Sequence, residues 1–129
     1  LRILVAEDNV VNQSIVGALL RRVHVHCDLA ADGIEACEAA AREHYDLILM
    51  DCQMPRLDGY EAARRIRARA GGVTEASVPI VALTAYAFEG ERQRCVEAGM
   101  NGYLTKPLRP EELYDELLRR FPRASQANA

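Results

Sequence analysis

An α/β fold, with a parallel sheet covered on both faces by helices, is what this sequence predicts. Three observations carry that reading. Short apolar runs alternate with longer amphipathic segments along the chain, the order that builds a parallel sheet wrapped by helices. The run Leu47-Ile48-Leu49-Met50 is apolar without interruption, as a strand buried on both faces is. The chain has 129 residues, half of them apolar, which suits one domain built around one core.

The elements follow in order. Ile3-Leu4-Val5-Ala6 predicts the first strand, and Ile15, Val16, Leu19, Leu20 and Val23 recur at helical spacing behind it. His24 to Ala30 reads as a second strand, which would place His24 and His26 on one face. The turn at Asp32-Gly33 opens a second helix with Ile34, Cys37, Ala40 and Ala41 inward. After the third strand, Leu47–Met50, a helix from Gly59 to Ala70 turns Ala63 and Ile66 to the core, and Gly71–Pro79 forms a polar loop. Ile80–Leu83 is the fourth strand. A thinner helix from Phe88 to Ala98 relies on Phe88, Cys95 and Val96, carries Gly90, and stops at Gly99. Tyr103-Leu104-Thr105 is a short fifth strand. Pro110 starts the last helix, with Glu111 and Glu112 in its first turn and Leu113, Leu117, Leu118 and Phe121 inward. Five strands and five helices alternate, with right-handed crossovers expected. The domain spans residues 1–121, and 122–129 reads as a polar linker.

Composition narrows the function. A formal net charge of −3 argues against a general nucleic-acid footprint. Arg64, Arg65, Arg67 and Arg69 read as a solvated helix face, with Glu61 placed to pair with Arg65. No stretch is apolar and long enough to span a bilayer, so no direct membrane contact is expected. Cys27, Cys37, Cys52 and Cys95 are widely separated and show no C-x-x-C spacing, which points for most of them to small buried hydrophobes in a reducing cytosol rather than to zinc, with Cys52 set apart because it directly follows Asp51. His24, His26 and His44 have no ligand pattern around them.

The chemistry lies where the apolar runs end. Glu7 and Asp8 follow the first strand, Asp51 the third, Thr84 the fourth and Lys106 the fifth. In an open parallel sheet these ends share one edge, where ligands bind. Taken singly, Asp8 reads as a helix cap, Thr84 as a strand residue and Lys106 as a surface lysine. Together they assemble three carboxylates, a hydroxyl and an ammonium in one pocket. Clustered carboxylates suit a hard divalent cation such as Mg2+. A carboxylate can also attack phosphorus to form an acyl phosphate, with cations neutralising the transferring group.

At these residues the sequence resembles the receiver domains of two-component signalling proteins. The resemblance runs from Leu1 to Phe121. It is carried by Val5-Ala6-Glu7-Asp8-Asn9, Met50-Asp51-Cys52-Gln53-Met54-Pro55 with Asp58-Gly59, Ala82-Leu83-Thr84-Ala85, and Gly102-Tyr103-Leu104-Thr105-Lys106-Pro107. It implies a doubly wound, flavodoxin-like sheet in the order 2-1-3-4-5. It implies Asp51 as phosphoacceptor, with Mg2+ held by Asp8, Asp51 and the Gln53 backbone carbonyl, and Glu7 acting through water. Lys106 becomes the phosphate contact before a cis bond to Pro107, and Thr84 with Tyr103 the switch pair. The resemblance also implies that Gln53 and Tyr86 flank the path of attacking water. Neither is an acid, which implies slow loss of the phosphoryl group. Such a domain promotes its own phosphorylation and dephosphorylation. Its implied partner is a histidine kinase or a histidine phosphotransfer protein, and its implied compartment is the cytoplasm.

Asn12 after Glu-Asp-Asn, the Met-Asp-Cys-Gln-Met-Pro wording and the long loop 71–79 are most similar to receivers within hybrid sensor histidine kinases. A start at Leu1 rather than methionine fits an excised piece of such a protein, with a membrane-anchored parent as one expectation; a free-standing response regulator is the alternative. An aspartate-based small-molecule phosphatase would want an acid where Gln53 stands, and a flavin module would want a Ser/Thr/Gly-rich loop where Glu7-Asp8-Asn9 stands.

Overall fold

The structure, a computed structural model, describes residues 1–69, 72–85 and 88–122. Its elements are β1 Arg2–Ala6, α1 Val10–Arg22, β2 His26–Ala30, α2 Gly33–Arg42, β3 Leu47–Asp51, α3 Gly59–Ala68, β4 Ile80–Thr84, α4 Glu89–Glu97, β5 Gly102–Thr105 and α5 Pro110–Arg120. The strands form one parallel sheet in the order β2-β1-β3-β4-β5. Every residue of β3 and β4 is buried, as their unbroken apolar sequence requires. Alternate side chains of the central strands feed two cores. Ile3, Val5, Leu47, Leu49, Val81 and Leu83 pack with Val16, Leu19 and Leu20 of α1 and Leu113 and Leu117 of α5. Leu4, Ala6, Ile48, Met50, Ile80 and Ala82 pack on the other face with residues of α2, α3 and α4.

Local chemistry fixes where the helices start. Asn9, Asp32 and Asp58 each accept a hydrogen bond from a backbone N–H one turn on, at Asn12, Glu35 and Glu61. Pro110 sits in the first turn of α5, with Glu111 and Glu112 beside it. Helix α4 has no side-chain cap. It ends at Gly99, whose φ of 91° is open to glycine at little cost.

Several expectations need correction. The second strand begins at His26, not His24. His24 has φ 60°, its amide donates to Arg21 O, and the Val25 amide donates to Leu20 O, so both residues complete the end of α1. His24 and His26 therefore do not share a strand face. Helix α2 buries Ala36 and Ala40, while Ile34, Cys37 and Ala41 are only partly covered. Ile15 of α1 and Leu118 of α5 are exposed. Inside α5 the buried place beside Leu113 and Leu117 belongs to Glu116, whose carboxylate accepts from Arg119 and Arg120. On α4, Phe88 and Val96 point to solvent, 60% and 71% exposed, and the buried side chains are Glu91 and Cys95. Helix α3 ends at Ala68. The remainder of its expected span, part of the loop that follows and the linker beyond Pro122 lie outside the described residues.

The arginine run divides by role. Arg64 and Arg65 are exposed and pair with Glu61, as expected. Arg67 is not a solvated residue: its guanidinium donates to Gly99 O at 2.9 Å, Ala76 O at 2.7 Å, Val78 O at 2.5 Å and Asn101 Oδ1 at 2.6 Å. Asn101 Oδ1 also accepts from the Ile80 amide at the start of β4. One planar fork thus joins α3, the loop before β4 and the turn before β5. Arg67→Met should lower stability by about 2–4 kcal/mol in urea unfolding, because carbonyls now served by a charge lose their donor. Arg67→Lys should recover less than half of that loss, since an ammonium cannot reproduce the fork.

Candidate functional site

The expected site residues meet at the carboxyl edge of the sheet. Asp51 ends β3 and is 3% exposed; Glu7 follows β1 and is 1% exposed. Lys106 reaches across both from the end of β5, with Nζ 2.8 Å from Asp51 Oδ2 and 3.0 Å from Glu7 Oε1. Its position follows from the backbone: the Lys106 amide donates to Thr84 O at 2.8 Å, and the Lys106–Pro107 bond is cis. Burial works against the ammonium, yet the hydrogen bonds to Asp51 and Glu7 raise its pKa above the usual lysine value.

The carboxylates are oriented individually. Asp51 Oδ1 accepts from the Gln53 amide at 3.1 Å, and Glu7 Oε2 accepts from the Asn9 amide at the same distance. The Glu7 carbonyl takes a bond of 2.7 Å from the Gln13 side chain, which ties it to α1. Asp8 lies at the exposed rim, and its pKa is raised, first by partial burial and then by its hydrogen bond to Glu7. Oxygens of Glu7, Asp8 and Asp51 all lie within 4.8 Å of one another. Three carboxylates against one ammonium leave a formal charge of −2 when all are ionised. An all-oxygen set of this density, open at Asp8 to solvent, fits a hard divalent cation that keeps several waters.

The loop after β3 is held against the site by one close approach. Any Cβ on Gly59 would lie 2.1 Å from Asp51 O, so only glycine lets α3 begin directly against the Asp51 backbone. The Gly59 amide then donates to Cys52 O at 3.1 Å. Arg56, at φ 65°, turns back to pair with Asp32 at 2.7 Å and joins this loop to the start of α2.

The resulting cleft has a volume of about 250 Å³ and is lined by Glu7, Asp8, Asn9, Asn12, Asp51, Cys52, Gln53, Thr84, Ala85 and Lys106. Thr84 is buried at the end of β4. Ala82 pairs with Tyr103 across β4 and β5. The sheet's alternation therefore puts the Thr84 and Tyr103 side chains on one face. Tyr103 is half-buried, with the Arg92 guanidinium 5.4 Å from its ring centre. Gln53 stands exposed at the mouth, whereas Tyr86 lies outside the described residues. Asn9 and Asn12 were not singled out as cleft residues from sequence; their place in the first turn after β1 is the signal that marks them.

One further group was missed. The cysteines were read as unrelated, but Cys52 and Cys95 approach each other together with Glu91, all three buried. The spacing of Glu91 and Cys95, four residues apart on a helix, was the available signal. Burial, with a smaller contribution from the nearby Glu91 carboxylate, raises both thiol pKa values.

With this geometry in place, comparison with known proteins is specific. The family model described as response regulator receiver domain matches residues 3–118. The chain is 39% identical over 127 residues to hybrid signal transduction histidine kinase B of Dictyostelium discoideum, and 38% identical over 120 residues to the signal transduction histidine-protein kinase BarA of Escherichia coli. Those matches cover 92% and 93% of this chain but only 6% and 13% of the relatives' own length. Among solved structures, it is similar to the receiver domain of sensor histidine kinase PA1611 from Pseudomonas aeruginosa, which has a magnesium ion coordinated in its active site cleft. That likeness has a TM-score of 0.82 and 51% identity over 92% of this chain and 94% of the other. The receiver domain of Ssk1 from Saccharomyces cerevisiae, crystallised with the histidine phosphotransfer protein Ypd1, gives a TM-score of 0.82 and 33% identity over 97% and 91% of the two chains. By sequence, by strand order and by structural likeness, the chain belongs to the response regulator receiver domain family.

Proposed function

We propose that this domain accepts a phosphoryl group from a phosphohistidine onto Asp51 and relays it within a hybrid histidine kinase pathway. The observation that carries this is the Asp51 carboxylate, buried at a strand end, held by Lys106 and bordered by Glu7 and Asp8. In the reaction an Asp51 oxygen attacks phosphorus, the P–N bond breaks, and its electron pair stays on the imidazole, which takes up a proton. Lys106 is placed to follow the negative charge onto the phosphoryl oxygens. Thr84, at the cleft wall, can donate its hydroxyl to the same group.

Asp8, Asp51 and the Gln53 carbonyl are the groups that would hold Mg2+, with Glu7 acting through water. When bound, the ion neutralises charge on the carboxylates and on the transferring group. The magnesium reported in the PA1611 receiver supports this reading, and so does the all-oxygen donor set. The partner is a histidine phosphotransfer protein or kinase domain, a reading supported by the Ypd1–Ssk1 complex. Val10, Val11 and Ile15 expose an apolar strip on α1 beside the cleft, a surface suited to bury against such a donor. Phosphorylation would draw Thr84 inward and shift Tyr103 and α4 between two arrangements. Gln53 offers no acid to activate water, which supports a long-lived acyl phosphate. No helix among the described residues is long and apolar enough to cross a membrane.

Two outcomes test the reading. With acetyl phosphate and magnesium, intact mass spectrometry should show one added phosphoryl group on the wild type and none on Asp51→Asn. An equal adduct on the variant would place the chemistry elsewhere. In metal-free buffer, Asp8→Asn should raise the melting temperature by a few degrees, because the charged carboxylate is disfavoured in the folded pocket. Millimolar magnesium should raise the wild-type melting temperature and leave the variant nearly unchanged.

A further inference from the structure

Helix α4 buries two of its nine residues, and neither is aliphatic: they are Glu91 and Cys95. Four positions apart, they share one face. That face meets Cys52, buried at the end of β3, so that the two sulfurs and a Glu91 carboxylate oxygen lie within 4.8 Å of one another. Glu91, only 7% exposed, thus brings a carboxylate against two buried thiols. Two sulfurs and one oxygen form a donor set unlike that of the neighbouring cleft. They suit a thiophilic, four-coordinate dication, whereas magnesium takes oxygen.

We propose that Cys52, Glu91 and Cys95 form a second cation site, selective for a thiophilic divalent ion such as zinc, that pins α4 to the end of β3. Tetrahedral zinc with these ligands has donor-to-donor edges of about 3.5–3.8 Å, so the side chains close on the ion by moving about an ångström. Water completes the coordination, and the two thiol protons pass to solvent as the ion binds. Entry is through α4 itself, which has no side-chain cap and little apolar packing. The site shares no ligand with the carboxylate cleft and stands or falls independently of phosphoryl transfer.

The test is uptake of cobalt(II), then zinc, by the whole chain with its thiols reduced and magnesium present in millimolar excess. Cobalt should bind one per chain, with thiolate-to-cobalt charge transfer in the near ultraviolet and the visible bands of a tetrahedral ion. One equivalent of zinc should abolish both. Cys52→Ser and Cys95→Ser should each lose most of the charge-transfer intensity. Glu91→Gln, which keeps both thiols, should weaken zinc binding by about tenfold or more, and the Cys27→Ser/Cys37→Ser double variant should behave as wild type. Circular dichroism of each variant establishes that it is folded. The proposal is overturned if the wild type, with its thiols shown to be free, gives no charge-transfer band. It is equally overturned if folded Cys95→Ser keeps the full band, or if the double variant loses it.

Discussion

The ammonium of Lys106, set between the carboxylates of Glu7 and Asp51, is the contact on which the rest of the architecture depends. Carboxylates set this closely repel one another, the more so as Glu7 and Asp51 are buried. The parallel sheet resolves the conflict by bringing a cation from a strand two positions away from that of Asp51. Lys106 arrives there because its own amide bonds the end of β4. One ammonium does not balance three carboxylates. The remaining negative charge is what suits the pocket, on the reading proposed above, to a divalent ion.

A rigid frame and a lightly held helix share this site. β3 and β4 are buried throughout, and Gly59 lets α3 begin against the Asp51 carbonyl. The position of Asp51 is therefore fixed by packing on both faces of the sheet. Helix α4 is built differently, with Phe88 and Val96 in solvent and a carboxylate and a thiol turned inward. Chemistry at a fixed carboxylate and movement of a weakly attached neighbour are compatible because they draw on different parts of the fold.

Much of this was legible in the sequence because strand ends are. An unbroken run such as Leu47–Met50 can be buried only in the middle of a parallel sheet, and the polar residue that follows it must then lie on the ligand-binding edge. Residues Glu7, Asp51, Thr84 and Lys106 were found in that way. What escaped was set by contacts between distant segments. Arg67 has the sequence context of a surface arginine, and only the fold brings three carbonyls and Asn101 around it. His24 alternates like a strand residue but completes a helix, since its left-handed backbone is dictated by the chain's turn and not by its side chain. On α4 hydrophobicity misled in part: Cys95 is buried as expected, but Phe88 and Val96 face solvent and the second inward place belongs to Glu91.

Lys106 is a resident countercharge that an incoming metal ion would have to displace in part from the carboxylates. Calorimetric titration of magnesium into the wild type and Lys106→Met, both free of phosphoryl donor, measures that directly. Removing the ammonium should tighten magnesium binding severalfold, since the ion then meets the full charge of Glu7, Asp8 and Asp51. Magnesium affinity that is unchanged or weaker in the variant would contradict it.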